Sequence, residues 1–176
     1  YLVYLTDLIS QLDREAIGKF ADLLLESRES STTTFFIGNG GSASDAQHMA
    51  AELVSRFKKE RGAIASIALT TDTSILTAIA NDYTFDRVFE RQVEALVRPG
   101  DICIGLSTSG NSKNVYFGHR KAIEIGASTI ALLGNGGGII KDVTDYALIV
   151  PSSDTPRVQE AHTLFAHIIC EMIERK

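Results

Sequence analysis

The chain has 176 residues, of which 44% are hydrophobic and 22% charged, and carries a formal net charge of −5. That length suits one domain burying roughly 70% of its unfolded surface. Mild acidity without a dense Lys/Arg block excludes a phosphate-backbone surface for nucleic acid, and no apolar run approaches the roughly 20 residues of a membrane span.

Helical patterns open the chain, from Tyr1 to Gln11 and from Asp13 to Glu29, the second with Asp13 as N-cap and Ala16, Phe20, Leu23 and Leu24 as its apolar stripe. The first residue is Tyr1 rather than Met, so a start ahead of it is expected, and no segment reads as a secretory signal. After these helices, short apolar runs alternate with helical patterns. TTTFFIG precedes a helix over Ala43 to Lys59; IASIAL precedes Thr73 to Asn81 and Phe85 to Val97; DICIGLS precedes Ser112 to Ile125. STIALLG leads to a short glycine-bounded helix near Ile140, and YALIVP leads to Thr155 to Arg175. Strand and helix units of this length imply an α/β fold whose parallel sheet is covered by helices on both faces. No linker divides the chain, so a single domain over residues 1–176 is expected, with N-terminal helices over about 1–30. The blocks RFKKER (Arg56 to Arg61) and HRK (His119 to Lys121) read as solvated helix ends, which puts His119 at the surface. Cys103 and Cys170, without CxxC spacing, read as buried, reduced thiols.

In such a sheet, ligands bind beyond the carboxyl ends of the strands. Two loops there have suitable chemistry: GNGGS, Gly38 to Ser42, and STSGNS, Ser107 to Ser112. Glycine permits close backbone approach, hydroxyls and amides donate, and a helix N-terminus favours an anion, so a phosphate can be held without Lys or Arg. Gly, Ser and Asn also make ordinary turns. It is the two loops together, on adjacent units, that point to a phosphorylated ligand. Neither fits GxxxxGK[ST] or GxGxxG, which disfavours nucleoside triphosphates and dinucleotides.

The helix after the first loop has an apolar stripe of Ala46, Met49, Ala50, Leu53 and Phe57, with His48 and Glu52 opposite it, one turn apart. On the last helix Val158, Ala161, Phe165, Ile168, Ile169 and Met172 form the core stripe, and His162 beside them reads as packed and hydrogen-bonded. His167 lies on the other side among Thr163, Ala166 and Cys170, small residues unlike a solvated face. That face is expected to meet another helix, from a second subunit.

GNGGSASDAQHMAAEL, TAIANDYTFDRVFERQVEAL, LSTSGNSKNV and RVQEAH followed by His167 closely resemble the phosphoheptose isomerases of the sugar isomerase (SIS) domain superfamily. The likeness runs from Phe35 onward. It implies a three-layer, flavodoxin-like sheet, a homotetramer and the isomerisation of sedoheptulose 7-phosphate to D-glycero-D-manno-heptose 7-phosphate, an early step toward lipopolysaccharide and related heptosides. Matched motif by motif, it implies that Asn39, Gly40, Gly41, Glu52, Asn81, Asp82 and Gln159 contact substrate, with Ser107, Thr108, Ser109 and Ser112 around the phosphate. It further implies zinc on His48, Glu52, Gln159 and His167, and Glu52 with His167 as the acid/base pair.

The residue types suit the reaction. Aldose–ketose interconversion through an enediol moves one proton between carbons and another between oxygens, tasks for a carboxylate and an imidazole. Gln159 and His167 lie eight residues apart, about 12 Å along a helix, whereas metal ligands converge to about 2 Å from one ion. Either the Gln159 end leaves the helix or the two come from different copies, and a site completed across a subunit interface is expected. Two rival readings remain: a non-catalytic relative that binds the DnaA replication initiator, disfavoured because Glu52 and His167 are both present, and an isomerase of another phosphosugar. Where some family members carry an acid before the RVQE-like motif, this chain has Pro156, a comfortable residue at a helix start.

Overall fold

The structure, a computed structural model, describes residues 2–175. Five strands, β1 (Thr34–Gly38), β2 (Ser66–Ala68), β3 (Ile102–Ser107), β4 (Ser128–Leu133) and β5 (Tyr146–Ile149), form one parallel sheet in the order β2-β1-β3-β4-β5. Strands β1 and β3 are buried at every position, as expected when helices cover both faces of a parallel sheet. Alternation along the strands builds two cores. Phe36, Ile104, Leu106, Ile130, Leu132 and Leu148 face one side, beneath α1 (Leu2–Ser10), α2 (Arg14–Ser30), α3 (Gly41–Val54) and α7 (Thr155–Ile173). Phe35, Ile37, Cys103, Ala131 and Leu133 face the other, beneath α4 (Thr73–Asp82), α5 (Val88–Leu96) and α6 (Lys113–Ile125). The three-layer, flavodoxin-like order expected from the resemblance is the order observed.

Local chemistry sets several ends. The Asp13 side chain accepts from the Ala16 amide at 3.0 Å and starts α2, and Asp72 caps α4 through the Ile75 amide at 2.9 Å. Tyr1, where the first helical pattern begins, lies outside the described residues.

Other expectations need correction. The helix expected through Lys59 ends at Val54, and Phe57 is therefore not on its stripe but half-buried in the segment that follows. Arg56 to Arg61 is accordingly not a solvated helix end, and the Arg61 side chain is only 7% exposed. The helix near Ile140 is instead a pair of 3₁₀ turns, Asn135–Gly137 and Lys141–Val143, between which Ile140 is buried. His119, expected at the surface, is fully buried. Its Nδ1 donates to the Thr144 hydroxyl at 2.9 Å, and its ring fills the space that Gly105 leaves on the neighbouring strand. His162 behaves as expected, buried with Nε2 donating to the Leu133 carbonyl at 3.3 Å.

The sheet order also fixes where a ligand can bind. The chain leaves β1 for β2 on one side and returns to β3 on the other, so the order reverses between β1 and β3. A crevice opens at the carboxyl ends of such a strand pair. Gly38 at the end of β1 is in register with Leu106, one residue before the end of β3, so GNGGS and STSGNS emerge at the same height on either side of that crevice.

Candidate active site

Reciprocal side-chain amide bonds tie the two loops together. Asn39 Nδ2 donates to Asn114 Oδ1 and Asn114 Nδ2 donates to Asn39 Oδ1, both at 2.8 Å. Asn114 is buried in the first turn of α6, so the Asn39 side chain is committed to holding the crevice together. Sequence reading singled out Asn39 and passed over Asn114, whose partner is distant in the chain.

The second loop leaves a helix N-terminus open. Ser112 stands at the N-cap of α6, yet its side chain makes no cap bond. Its Oγ lies 2.9 Å from Ser107 Oγ, and Ser109 Oγ lies 3.4 Å from Ser107 Oγ. Three hydroxyls thus cluster where first-turn amides present their partial positive charge. Gly110, with φ of 67°, turns this loop back against the backbone of Gly137, an approach that any side chain at Gly110 would block. Thr108 follows Ser107 and is half-buried at the same turn. In the first loop Gly40 adopts φ of 54° as the N-cap of α3, again without a side-chain cap, so the start of α3 is a second open helix end.

Below the loops, α3 and α7 pack side by side with corresponding positions meeting. Gln159 lies against Gly41, where an added Cβ would overlap its side-chain amide. One turn on, the Thr163 hydroxyl donates to Asp45 Oδ1 at 3.2 Å. One further turn on, the His48 and His167 rings stand edge to face with centroids 5.3 Å apart. His48 Nε2 is 3.1 Å from Glu52 Oε1, and these side chains are 43% and 21% exposed. His48 therefore stands between the two side chains expected to act as acid and base. On its other side His167 stacks on the Phe57 ring at 5.3 Å with a 22° interplanar angle.

This alignment corrects two expectations. His48, Glu52 and His167 come together within one chain, so no second copy is needed to assemble them. The small-residue face of α7 does meet another helix, but that helix is α3 of the same chain, and Ala166 and Cys170 are buried there. Gln159 does not join the histidines: α7 is unbroken, and Gln159 stays two turns away at the Gly41 end. Among the described residues no three His, Cys, Asp or Glu side chains converge as a metal-ligand set. Asn81 and Asp82 are both exposed at the end of α4, with Asn81 Nδ2 donating to Asp82 Oδ1 at 2.9 Å.

Asp45 is a site residue that sequence reading missed, because its position on the helix wheel carries no signal until α7 is placed beside it. Its Oδ2 is buried without a hydrogen bond, and desolvation raises its pKa above the ordinary value even though Thr163 and His48 pull it down. Burial likewise pushes the Cys103 and Cys170 thiols up to about 12, and both are free, so neither is a nucleophile at neutral pH.

The SIS domain family model matches residues 1–134. The phosphoheptose isomerase of Geobacter sulfurreducens is 53% identical over 171 residues, 96% of this chain and 90% of that protein. The phosphoheptose isomerase of Aquifex aeolicus is 52% identical, covering 93% of this chain and 86% of its own. Among solved structures, the phosphoheptose isomerase of Neisseria gonorrhoeae superposes with a TM-score of 0.92 at 42% identity over 99% of this chain and 93% of that one. That of Francisella tularensis gives 0.94 at 32% identity, with the same coverage.

Proposed function

Because the chain belongs to the SIS domain family and, within it, to the phosphoheptose isomerases, we propose that its α3–α7 seam is where sedoheptulose 7-phosphate becomes D-glycero-D-manno-heptose 7-phosphate. One observation carries the reading: Glu52 and His167 flank His48 below two anion-holding loops. Some 10 Å of helix, at 1.5 Å per residue, separates Gly41 from His48. An extended seven-carbon sugar phosphate spans a comparable length, so its phosphate can sit at the loops while its carbonyl end reaches the histidines. This favours a heptulose over a shorter phosphosugar.

The chemistry is a proton shuttle. Glu52 removes a proton from C1 of the ketose, and the C–H electron pair becomes the C1–C2 double bond of an enediol as O2 takes a proton from His167. His167 then accepts the O1 proton as the C1 carbonyl forms, and Glu52 returns the carbon proton to C2. Atoms and charge balance, since every proton taken is given back. Ser107, Thr108, Ser109 and Ser112 hold the phosphate, the Gly40–Gly41 backbone and Gln159 hold the sugar chain, and Asn39 supports its loop through Asn114.

Zinc belongs to the same proposal. His48, Glu52 and His167 offer the nitrogen and oxygen donors zinc takes, with Gln159 as a fourth from the resemblance. Binding would require His48 and Glu52 to exchange their mutual bond for the ion and Gln159 to be brought nearer. When bound, the ion would polarise the carbonyl or fix its ligands.

A homotetramer with sites at subunit interfaces is the proposed assembly. Helix α4 carries Ile75, Leu76 and Ile79 yet has no buried residue, and Tyr83, Phe85 and Leu96 nearby are exposed. A second copy covering this surface would also cover Asn81 and Asp82 at the end of α4. No described helix is long and apolar enough to cross a membrane. A cytoplasmic place and a role in supplying heptose for lipopolysaccharide complete the proposal.

The test is a product assay with sedoheptulose 7-phosphate, with and without a chelator, beside hexulose and pentulose phosphates. Selective turnover of the heptulose is the expected result, and turnover of a shorter sugar alone contradicts it. Binding of the replication initiator without any turnover would favour the regulatory alternative.

A further inference from the structure

The segment after α3 ends the helix early and is held by one carboxylate. The successive amides of Phe57, Lys58 and Lys59 donate to Glu174 at 2.8, 2.8 and 2.9 Å, closing a backbone nest around an anion. Glu174 follows α7 directly, and its side chain is only 2% exposed. Desolvation alone would raise its pKa, but the three amides and the Arg61 guanidinium outweigh burial and hold it below the ordinary value. Arg61 Nε lies 3.8 Å from Glu174 Oε1. The Arg61 fork donates to the backbone carbonyls of Glu52 at 2.6 Å and Leu53 at 2.9 Å, satisfying acceptors that the end of α3 leaves open.

Both arms of this clasp end at the reacting groups: the nest holds Phe57, whose ring stacks on His167, and Arg61 holds the last turn of α3, which carries Glu52. We propose that Glu174, through its amide nest and Arg61, is a positioning residue that sets the Glu52 and His167 side chains relative to each other. The proposal rests on the isomerase reading. It assigns a task to a residue that touches neither substrate nor the histidines, and it explains why the helix stops short of Lys59. The clasp sits at the far end of α3 from the phosphate loops. Loosening it misplaces the proton-transfer groups while leaving the phosphate anchor intact, so kcat falls and KM holds.

The experiment compares Glu174→Gln, Phe57→Ala and the double variant in full-length protein, with folding checked by thermal denaturation. A carboxamide cannot accept from three amides and pair with Arg61. Glu174→Gln should therefore lower kcat roughly 10- to 100-fold, the scale of a misplaced reacting group, with KM within about twofold. Phe57→Ala should reproduce part of that loss, and the double variant should fall by less than the product of the two. Because the chain has no tryptophan, Phe57→Trp supplies a single indole that can be excited selectively over the tyrosines; its emission should shift to the red when Glu174→Gln is added. Wild-type kcat in a folded Glu174→Gln, a rise in KM alone, or an emission that does not move would each overturn the proposal. Should Glu174→Gln not fold, Phe57→Ala with unchanged kcat overturns it and a kcat loss at constant KM supports it. A wild-type protein without heptulose turnover contradicts the isomerase reading itself, while the emission shift still decides whether Glu174 holds Phe57 in place.

Discussion

Asn39 shows how a residue's chemistry can differ from its apparent task. Its amide faces the crevice in sequence terms, yet both of its side-chain bonds go to Asn114. Asn114→Ala leaves that amide unpaired at a partly buried site, a cost of about 1–3 kcal/mol. A lower denaturation midpoint together with a several-fold higher KM is the expected outcome; an unchanged KM would separate the pair from substrate binding. His119 carries the opposite lesson. Followed by Arg120 and Lys121 it reads as surface, but it is buried because Gly105, on another strand, makes room for the ring. No local pattern holds that information. The hydroxyl and glycine loops were legible because turn chemistry and helix starts are local.

At the scale of elements, the alternation of apolar runs and helical patterns gave the layers and the parallel sheet, since both follow from periodicity. The pairing of α3 with α7 position by position did not, because it depends on how two helices follow β1 and β5 across the same face. Once that pairing is known, His167 becomes a neighbour of the distant His48 and Glu52, and Asp45 and Thr163 join them. Gln159 and His167, both on the unbroken helix α7, do not meet within one chain. His48, Glu52 and His167 do meet within one chain, because the face of α7 that carries His167 is covered by α3 of the same chain. Gly41 is where the pairing is closest. Gly41→Ala should push the Gln159 amide away from the first loop and lower kcat/KM about 10- to 100-fold, by analogy with other displaced substrate-positioning groups. Steady-state kinetics measure this, and wild-type kcat/KM would place Gln159 outside the substrate path.

For the whole molecule, the buried histidines set the response to acid. Desolvation lowers His119 and His162 from 6.5 to about 4, against weaker opposing contributions from Asp145 at His119 and the Leu133 carbonyl at His162. The unfolded chain therefore binds protons between those values that the folded chain does not, and stability falls as pH drops through that window. Each histidine contributes a loss of about 2 kcal/mol by pH 5 relative to pH 7. Urea denaturation at both pH values should show a marked loss in the wild type and a smaller one in His119→Gln, if that variant folds. Equal loss in both would remove His119 from the cause.

The claim on which the rest depends is that holding the sugar phosphate and moving its protons are separate tasks, the first belonging to backbone amides and hydroxyls at the crevice, the second to Glu52 and His167. Glu52→Gln, assayed for turnover and titrated calorimetrically with sedoheptulose 7-phosphate on the same preparation, tests this most directly. The expected result is affinity within a few-fold of wild type and turnover reduced by about 10²- to 10⁴-fold, the usual contribution of a general acid or base. Wild-type turnover in that variant would contradict the account.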